Sequence, residues 1–228
     1  MMKREEFRQF GHQLIDWIAD YYENIEQYPV KSQVKPGEII DQLPSLPPSE
    51  SQSFDNIMAD FEKIVLPGIT HWQSPNFFAY FPANSSMPSI LAELLTSALA
   101  VQGMVWETSP AATELEEQVM IWLKKMTGLP DHFHGVIQDT ASTSTLVALL
   151  SAREKISNFS VNKEGFNSNI YRIYCSYEAH SSIEKAVKIA GFGKNSLNYI
   201  PVDEQLRMKP EALEEAISKD KKDGLKIG

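Results

Sequence analysis

"GVIQDTASTSTLVALLSAR", residues 135–153, decides the fold. An apolar pair, Val136 and Ile137, precedes a cluster of small hydroxyl-bearing residues, and apolar residues at helical spacing follow from Leu146. This order predicts a short strand at Val136–Gln138 that hands over to a helix from about Ser142 to Ile156. In an open parallel sheet, ligands bind beyond the carboxyl ends of strands, where amides of the next helix are unpaired and its dipole favours an anion. Small side chains let a phosphate reach the backbone, and the hydroxyls of Thr140, Ser142, Thr143 and Ser144 add donors. Serine and threonine are also the ordinary caps of any helix. On this stretch alone both readings stand.

Downstream, strand and helix alternate. "IYRIYCS" (170–176) and "SLNYIPV" (196–202) read as strands, and "SSIEKAVKIAG" (181–191) and "KPEALEEAISKDKKDG" (209–224) as helices. Strands separated by helices of this length imply a parallel sheet covered on both faces. A further strand is expected to begin at "LKIG". An unpaired edge there predicts that the chain alone aggregates or needs a companion.

Upstream the chain is helical. Phe7, Phe10, Leu14, Trp17, Ile18, Tyr21 and Ile25 form one apolar stripe that needs a partner. A segment with Pro36, Pro44, Pro47 and Pro48 reads as an extended connection, and Phe54–Leu66 as a helix stopped by Pro67-Gly68. "PSILAELLTSALAV" (88–101) is apolar nearly all round, which predicts a helix in the interior or at an interface. Residues 110–126 form another helix, with Ser109 as cap, Pro110 at its first position, early glutamates and late lysines. The expected domains are a helical segment, 1–86, and an α/β domain, 87–228.

With 21 Lys and Arg against 30 Asp and Glu, the formal charge is −9, which disfavours nucleic acid and anionic membrane surfaces as partners. One cysteine excludes an internal disulfide, and no stretch has the length of a membrane span or the order of a signal peptide, so a cytoplasmic protein is expected.

Two further features bear on chemistry. His180, in "CSYEAHSSIEKA", lies where a strand passes to a helix; its imidazole can stack on a flat conjugated ligand and move a proton, or simply bond a neighbouring carbonyl. Cys175, on the strand itself, reads as a buried, inert thiol rather than a nucleophile. The histidines lack zinc-site spacing, and no metal is expected. "THWQSPNFFAYFPANSS" (70–86) packs five aromatic residues between Trp72 and Phe81, either as core or as a loop presenting rings to a pocket or partner.

Taken together, these segments resemble the amino-terminal half of the group II pyridoxal-phosphate-dependent amino acid decarboxylases, most of all the aromatic-L-amino-acid decarboxylase branch. The likeness rests on "FRQFGHQLIDWIADYYENIE", "PGITHWQSPNFFAYFPANSS", "SPAATELEEQVMIWLKKM", "GVIQDTASTSTLVALLSAR", "AHSSIEKA" and "DGLKIG", in the family's order. The resemblance implies an α/β fold of the aspartate-aminotransferase type (PLP fold type I), a large domain cut short and preceded by helices that pack over the partner of a homodimer. It implies pyridoxal 5'-phosphate as cofactor, its phosphate held by Ala141 and Ser142 beside Thr140, with His180 stacked on the ring and placed to assist protonation. Trp72, Tyr80, Phe81, Pro82 and Ala83 would border the amino acid substrate, and Met104 and Val105 would come from the dimer-interface segment.

Two residues depart from the pattern. Ala83 stands where members closest to the animal aromatic enzymes carry Thr, and Asp139 where they carry Gly. The family's catalytic lysine follows a histidine, and this chain has no His-Lys pair; it also stops before the family's pyridine-nitrogen Asp. A homodimer or a carboxy-terminal companion polypeptide is therefore expected, and three outcomes follow from the resemblance. They are decarboxylation, the same fold with aldehyde-synthase or acidic-substrate chemistry, and a truncated partner without catalysis.

Overall fold

The computed structural model describes residues 2–166 and 171–227. Ile170 and Gly228, which open the expected strand at 170–176 and close "LKIG", lie outside them. The chain divides into two compact units, Met1–Val101 and Gln102–Gly228. The change of composition at Pro88 falls inside the first.

In the first unit the apolar stripe forms helix α1, Arg4–Glu23. Helix α2, Phe54–Asp60, is capped by the Ser53 side chain accepting from the Asn56 amide. The helical path continues as a wide π turn, Phe61–Val65, and a tight 3-10 turn, Leu66–Gly68. Pro67, with no amide proton, ends the regular ladder. Phe10 stacks on Phe54 with centroids 4.5 Å apart, Trp17 meets Phe61 edge-on at 5.3 Å, and the Trp17 indole donates to Glu62 at 2.8 Å. The stripe therefore finds part of its cover within the chain, while Phe7, Leu14 and Ile15 stay exposed. Helix α3, Met87–Leu99, starts in a reciprocal Ser86–Ser89 capping box and ends at Ala100 in the left-handed conformation. Its leucines 91, 94, 95 and 99 are exposed.

The second unit opens with α4, Pro110–Met126, capped by Ser109, and α5, Ala141–Ser157, capped by Thr140. The strand expected at Val136–Gln138 is absent. The segment has no strand neighbour among the described residues; instead the Ile137 amide donates to the Glu116 carboxylate at 3.2 Å, and a strand without a ladder partner has no reason to form. A short helix α6, Ser160–Glu164, leads to strand β1, Tyr171–Ser176. Then follow α7, Ser182–Ile189, β2, Leu197–Ile200, α8, Pro210–Lys222, and β3, Lys226–Ile227. The strands are parallel in the order β2-β1-β3, with Ile173 opposite Leu197 and Tyr171 opposite Lys226.

Side-chain alternation along β1 divides its two faces. Ile173 and Cys175 are buried with Val187 of α7 and Leu197, and Leu149 of α5 packs against this cluster. Each such side chain contributes roughly 1.5–3 kcal/mol by leaving water. On the other face, the Tyr174 hydroxyl donates to the buried Asp220 of α8 at 2.7 Å, and Arg172 pairs with the same carboxylate at 3.5 Å. Burial and this acceptor together hold the Tyr174 phenol well above its ordinary range. Gly191, at φ +85, closes α7 where a Cβ would lie 2.7 Å from the Phe166 ring, so a side chain there would displace the ring and hold a strained backbone.

Candidate active site

The order β2-β1-β3 reverses direction at β1, so the carboxyl end of that strand is the expected ligand crevice. Helix α5 is tied to α7 by Arg153, at the ends of both helices away from this crevice. Its guanidinium pairs with Glu154 at 2.9 Å and donates at 2.8 Å to the Ala190 carbonyl, at the carboxyl end of α7. A cation suits that end of a helix dipole. At the opposite ends of the two helices, Ser142 and Thr143 face Ser182 and Lys185 across a cleft of about 190 Å3. The helices thus run side by side in the same direction, with both amino termini at one end of the sheet.

The hydroxyl cluster divides its labour. Thr140 Oγ1 accepts from the Thr143 amide at 3.2 Å and shares a proton with Thr143 Oγ1 at 3.1 Å. The hydroxyls of Ser144 and Thr145 turn back onto the carbonyls of Thr140 and Ala141. The cap and these backbone bonds together account for the hydroxyls of four residues. They leave the amides of Ala141 and Ser142 and the Ser142 hydroxyl without a partner among the described residues, all at an exposed helix start. These donors fit a phosphate. Asp139 is exposed at the same turn.

His180 follows β1 by way of a turn in which the Ala179 amide donates to the Ser176 carbonyl. Its ring is exposed, and Nδ1 accepts from the Ser182 amide at 3.2 Å with Ser182 Oγ 2.9 Å away. Cys175 lies buried inside β1, and that burial pushes its thiol pKa up, away from the reactive thiolate. Met104 and Val105 are exposed at the start of the second unit, where the Trp106 indole donates to Glu114 at 2.9 Å.

The aromatic stretch belongs to the first unit and forms a loop. Its base is His71, buried to 2% exposure, stacked on Tyr28 at 4.8 Å and bonded through Nδ1 to the Tyr21 hydroxyl at 2.8 Å. Burial lowers the His71 pKa. Gln73 ties the loop together, donating to the Ala83 carbonyl at 2.8 Å and accepting from the Ser85 amide at 3.3 Å. The loop therefore presents rings rather than burying them: Trp72 stacks on Tyr80 at 5.7 Å, and Phe78, Tyr80 and Phe81 are almost fully exposed. Tyr80 sits at φ +57, a conformation that aromatic residues rarely hold. Pro82 is half-buried and Ala83 exposed beside it. Sequence reasoning missed His71, Gln73 and Ser182. Only the last had a signal, a hydroxyl pair directly after a histidine.

Comparison with known proteins identifies the family and the fold. The model of the pyridoxal-dependent decarboxylase conserved domain matches residues 36–227. Bovine aromatic-L-amino-acid decarboxylase is 44% identical over 98% of this chain and 48% of its own length. Phenylacetaldehyde synthase of Arabidopsis thaliana is 42% identical over 98% of this chain and 47% of its own. The crystal structure of Catharanthus roseus tryptophan decarboxylase in complex with L-tryptophan superposes with a TM-score of 0.91 at 38% identity, covering 99% of this chain and 50% of that one. The chain spans about half the length of these relatives. By sequence and by fold, it belongs to the pyridoxal-dependent decarboxylase family.

Proposed function

We propose that this chain supplies the amino-terminal half of an active site that decarboxylates an aromatic L-amino acid with pyridoxal 5'-phosphate. The second half, with its lysine, comes from residues beyond this sequence, on a homodimer or a carboxy-terminal companion polypeptide, in the cytoplasm. The observation that carries the reading is the set of uncommitted donors at Ala141 and Ser142, the latter on a cleft shared with Ser182, two residues from His180.

When bound, pyridoxal phosphate supplies a conjugated ring that takes up the electron pair left as carbon dioxide departs. The amides of Ala141 and Ser142 and the Ser142 hydroxyl would bind its phosphate, with Thr140 holding the helix start in shape. His180 would lie against the ring and hold a proton for the carbon that loses its carboxylate. The balance is one carbon–carbon bond broken, carbon dioxide released, and one proton gained at the same carbon. Trp72, Tyr80, Phe81, Pro82, Ala83 and Met104 would border the substrate. An aromatic side chain suits such rings better than a carboxylate does. Ala83 offers no hydroxyl to the substrate, so orientation of the carboxylate falls to other groups.

The test is to load the purified protein with pyridoxal phosphate, reduce it with borohydride and measure denatured intact masses, then supply tryptophan, tyrosine and dopa. The expected result is reduced cofactor on the polypeptide carrying the His-Lys pair, with carbon dioxide and amine released in equal amounts. Aldehyde, ammonia and hydrogen peroxide in place of the amine would transfer the assignment to aldehyde-synthase chemistry, as in the Arabidopsis relative. No cofactor bound and no carbon dioxide would leave a non-catalytic chain and end the proposal.

A further inference from the structure

The contact between His180 and Ser182 fixes more than a turn. A backbone amide can only donate, so the 3.2 Å bond from the Ser182 amide requires that Nδ1 of His180 carry no proton. The Ser182 hydroxyl, 2.9 Å from the same nitrogen, then points its own proton there. Two donors converge on one lone pair, and the neutral ring has one place left for its proton, Nε2. That nitrogen has no hydrogen-bond partner among the described residues, and the ring is exposed. Ser182 itself is 7% exposed, begins α7 and lines the cleft opposite Ser142. Its amide is one of the orphan donors of a helix start, so the bond satisfies the helix and orients the imidazole together.

We propose that Ser182 is the positioning residue of the site: it holds His180 in the tautomer that carries its proton on Nε2, the nitrogen left free for the substrate side. The inference rests on the function proposed above for its consequence in turnover, though not for the tautomer. It separates the two serines after His180, because Ser181 makes no side-chain bond to the ring among the described residues.

The test uses the assembled protein, this chain together with the polypeptide that carries the His-Lys pair, with this chain labelled with 15N-histidine, with and without pyridoxal phosphate, and Ser182→Ala and Ser182→Thr variants. His180→Gln identifies the ring resonances. In the parent protein, Nδ1 of His180 should resonate as an unprotonated nitrogen and Nε2 as a protonated one. Ser182→Ala removes the hydroxyl and keeps the amide, so Nδ1 should stay unprotonated while its resonance moves with the loss of one of two hydrogen bonds, and kcat should fall about tenfold with KM little changed; Ser182→Thr should restore both. A proton found on Nδ1 in the parent, or ring shifts and kcat untouched in Ser182→Ala, overturns the inference. Expected ring shifts with no carbon dioxide from any amino acid would overturn the decarboxylase reading and leave the tautomer assignment standing.

Discussion

The two units spend their apolar residues differently. Around the sheet of the second unit, Tyr171, Val187 and Ile200 are at most 2% exposed, and alternate residues of β1 serve opposite faces. In the first unit, the buried residues among those described are Ile25, His71 and Ser74, while Leu95 and Leu99 on α3 are 64% and 71% exposed. A parallel sheet closes its core with its own crossovers, because each connecting helix must return across the sheet to reach the next strand. A helix imposes no such return. Its apolar side states that something covers it and leaves open what does.

That contrast can be broken by one pair of substitutions. Val187→Asp places an unpaired charge in the sheet core and is expected to cost about 4 kcal/mol or more, enough to unfold the second unit in a denaturant titration. Leu95→Asp should leave stability within about 0.5 kcal/mol. Its expected effect is on association, read by sedimentation velocity as a shift toward smaller species. Equal destabilisation by the two would show that α3 is core within the chain.

A smaller effect sharpens the division of labour at the start of α5. Thr140→Ala removes the cap and should cost about 1 kcal/mol in thermal unfolding. Ser142→Ala should change stability by less than about 0.5 kcal/mol, yet weaken pyridoxal phosphate binding about tenfold in an absorbance titration, through loss of a hydrogen bond to a charged group. If Thr140→Ala weakened binding more than Ser142→Ala did, the phosphate would be held by the cap instead.

The smallest expected effect is on pH dependence. Glu184 of α7 accepts from Lys188 at 3.0 Å and from the Tyr199 hydroxyl at 2.9 Å, and these partners, Lys188 first, hold its carboxyl down to about 2 from an ordinary 4.5. The folded-state pKa is depressed, so its stabilising contribution is complete above about 4.5 and is lost as pH falls toward about 2. Glu184→Gln should flatten that limb of the melting-temperature profile, with no change near neutrality beyond a constant offset. An acid limb identical in the variant would assign the effect to other carboxylates.

Much of this protein could be read from its sequence. Helices α1, α4, α5, α7 and α8 announce themselves by periodicity, by caps such as Ser109 and Thr140, and by Pro110 and Pro210 at their starts; these are local effects among residues a few positions apart. The alternation after residue 170 likewise implied parallel strands, and the ordered motifs implied the family. Three things required the tertiary structure. Val136–Gln138 is apolar enough for a strand, but pairing depends on a neighbour that sequence spacing does not supply. The hydroxyl cluster reads as cap or phosphate cup, and only hydrogen bonds spent elsewhere show which donors of Ala141 and Ser142 stay free. His180 offers two nitrogens, and the amide that occupies one of them is oriented by the turn into α7. Composition and period determine which groups are present and which face is apolar; which of those groups is already satisfied depends on distances set by the packed chain.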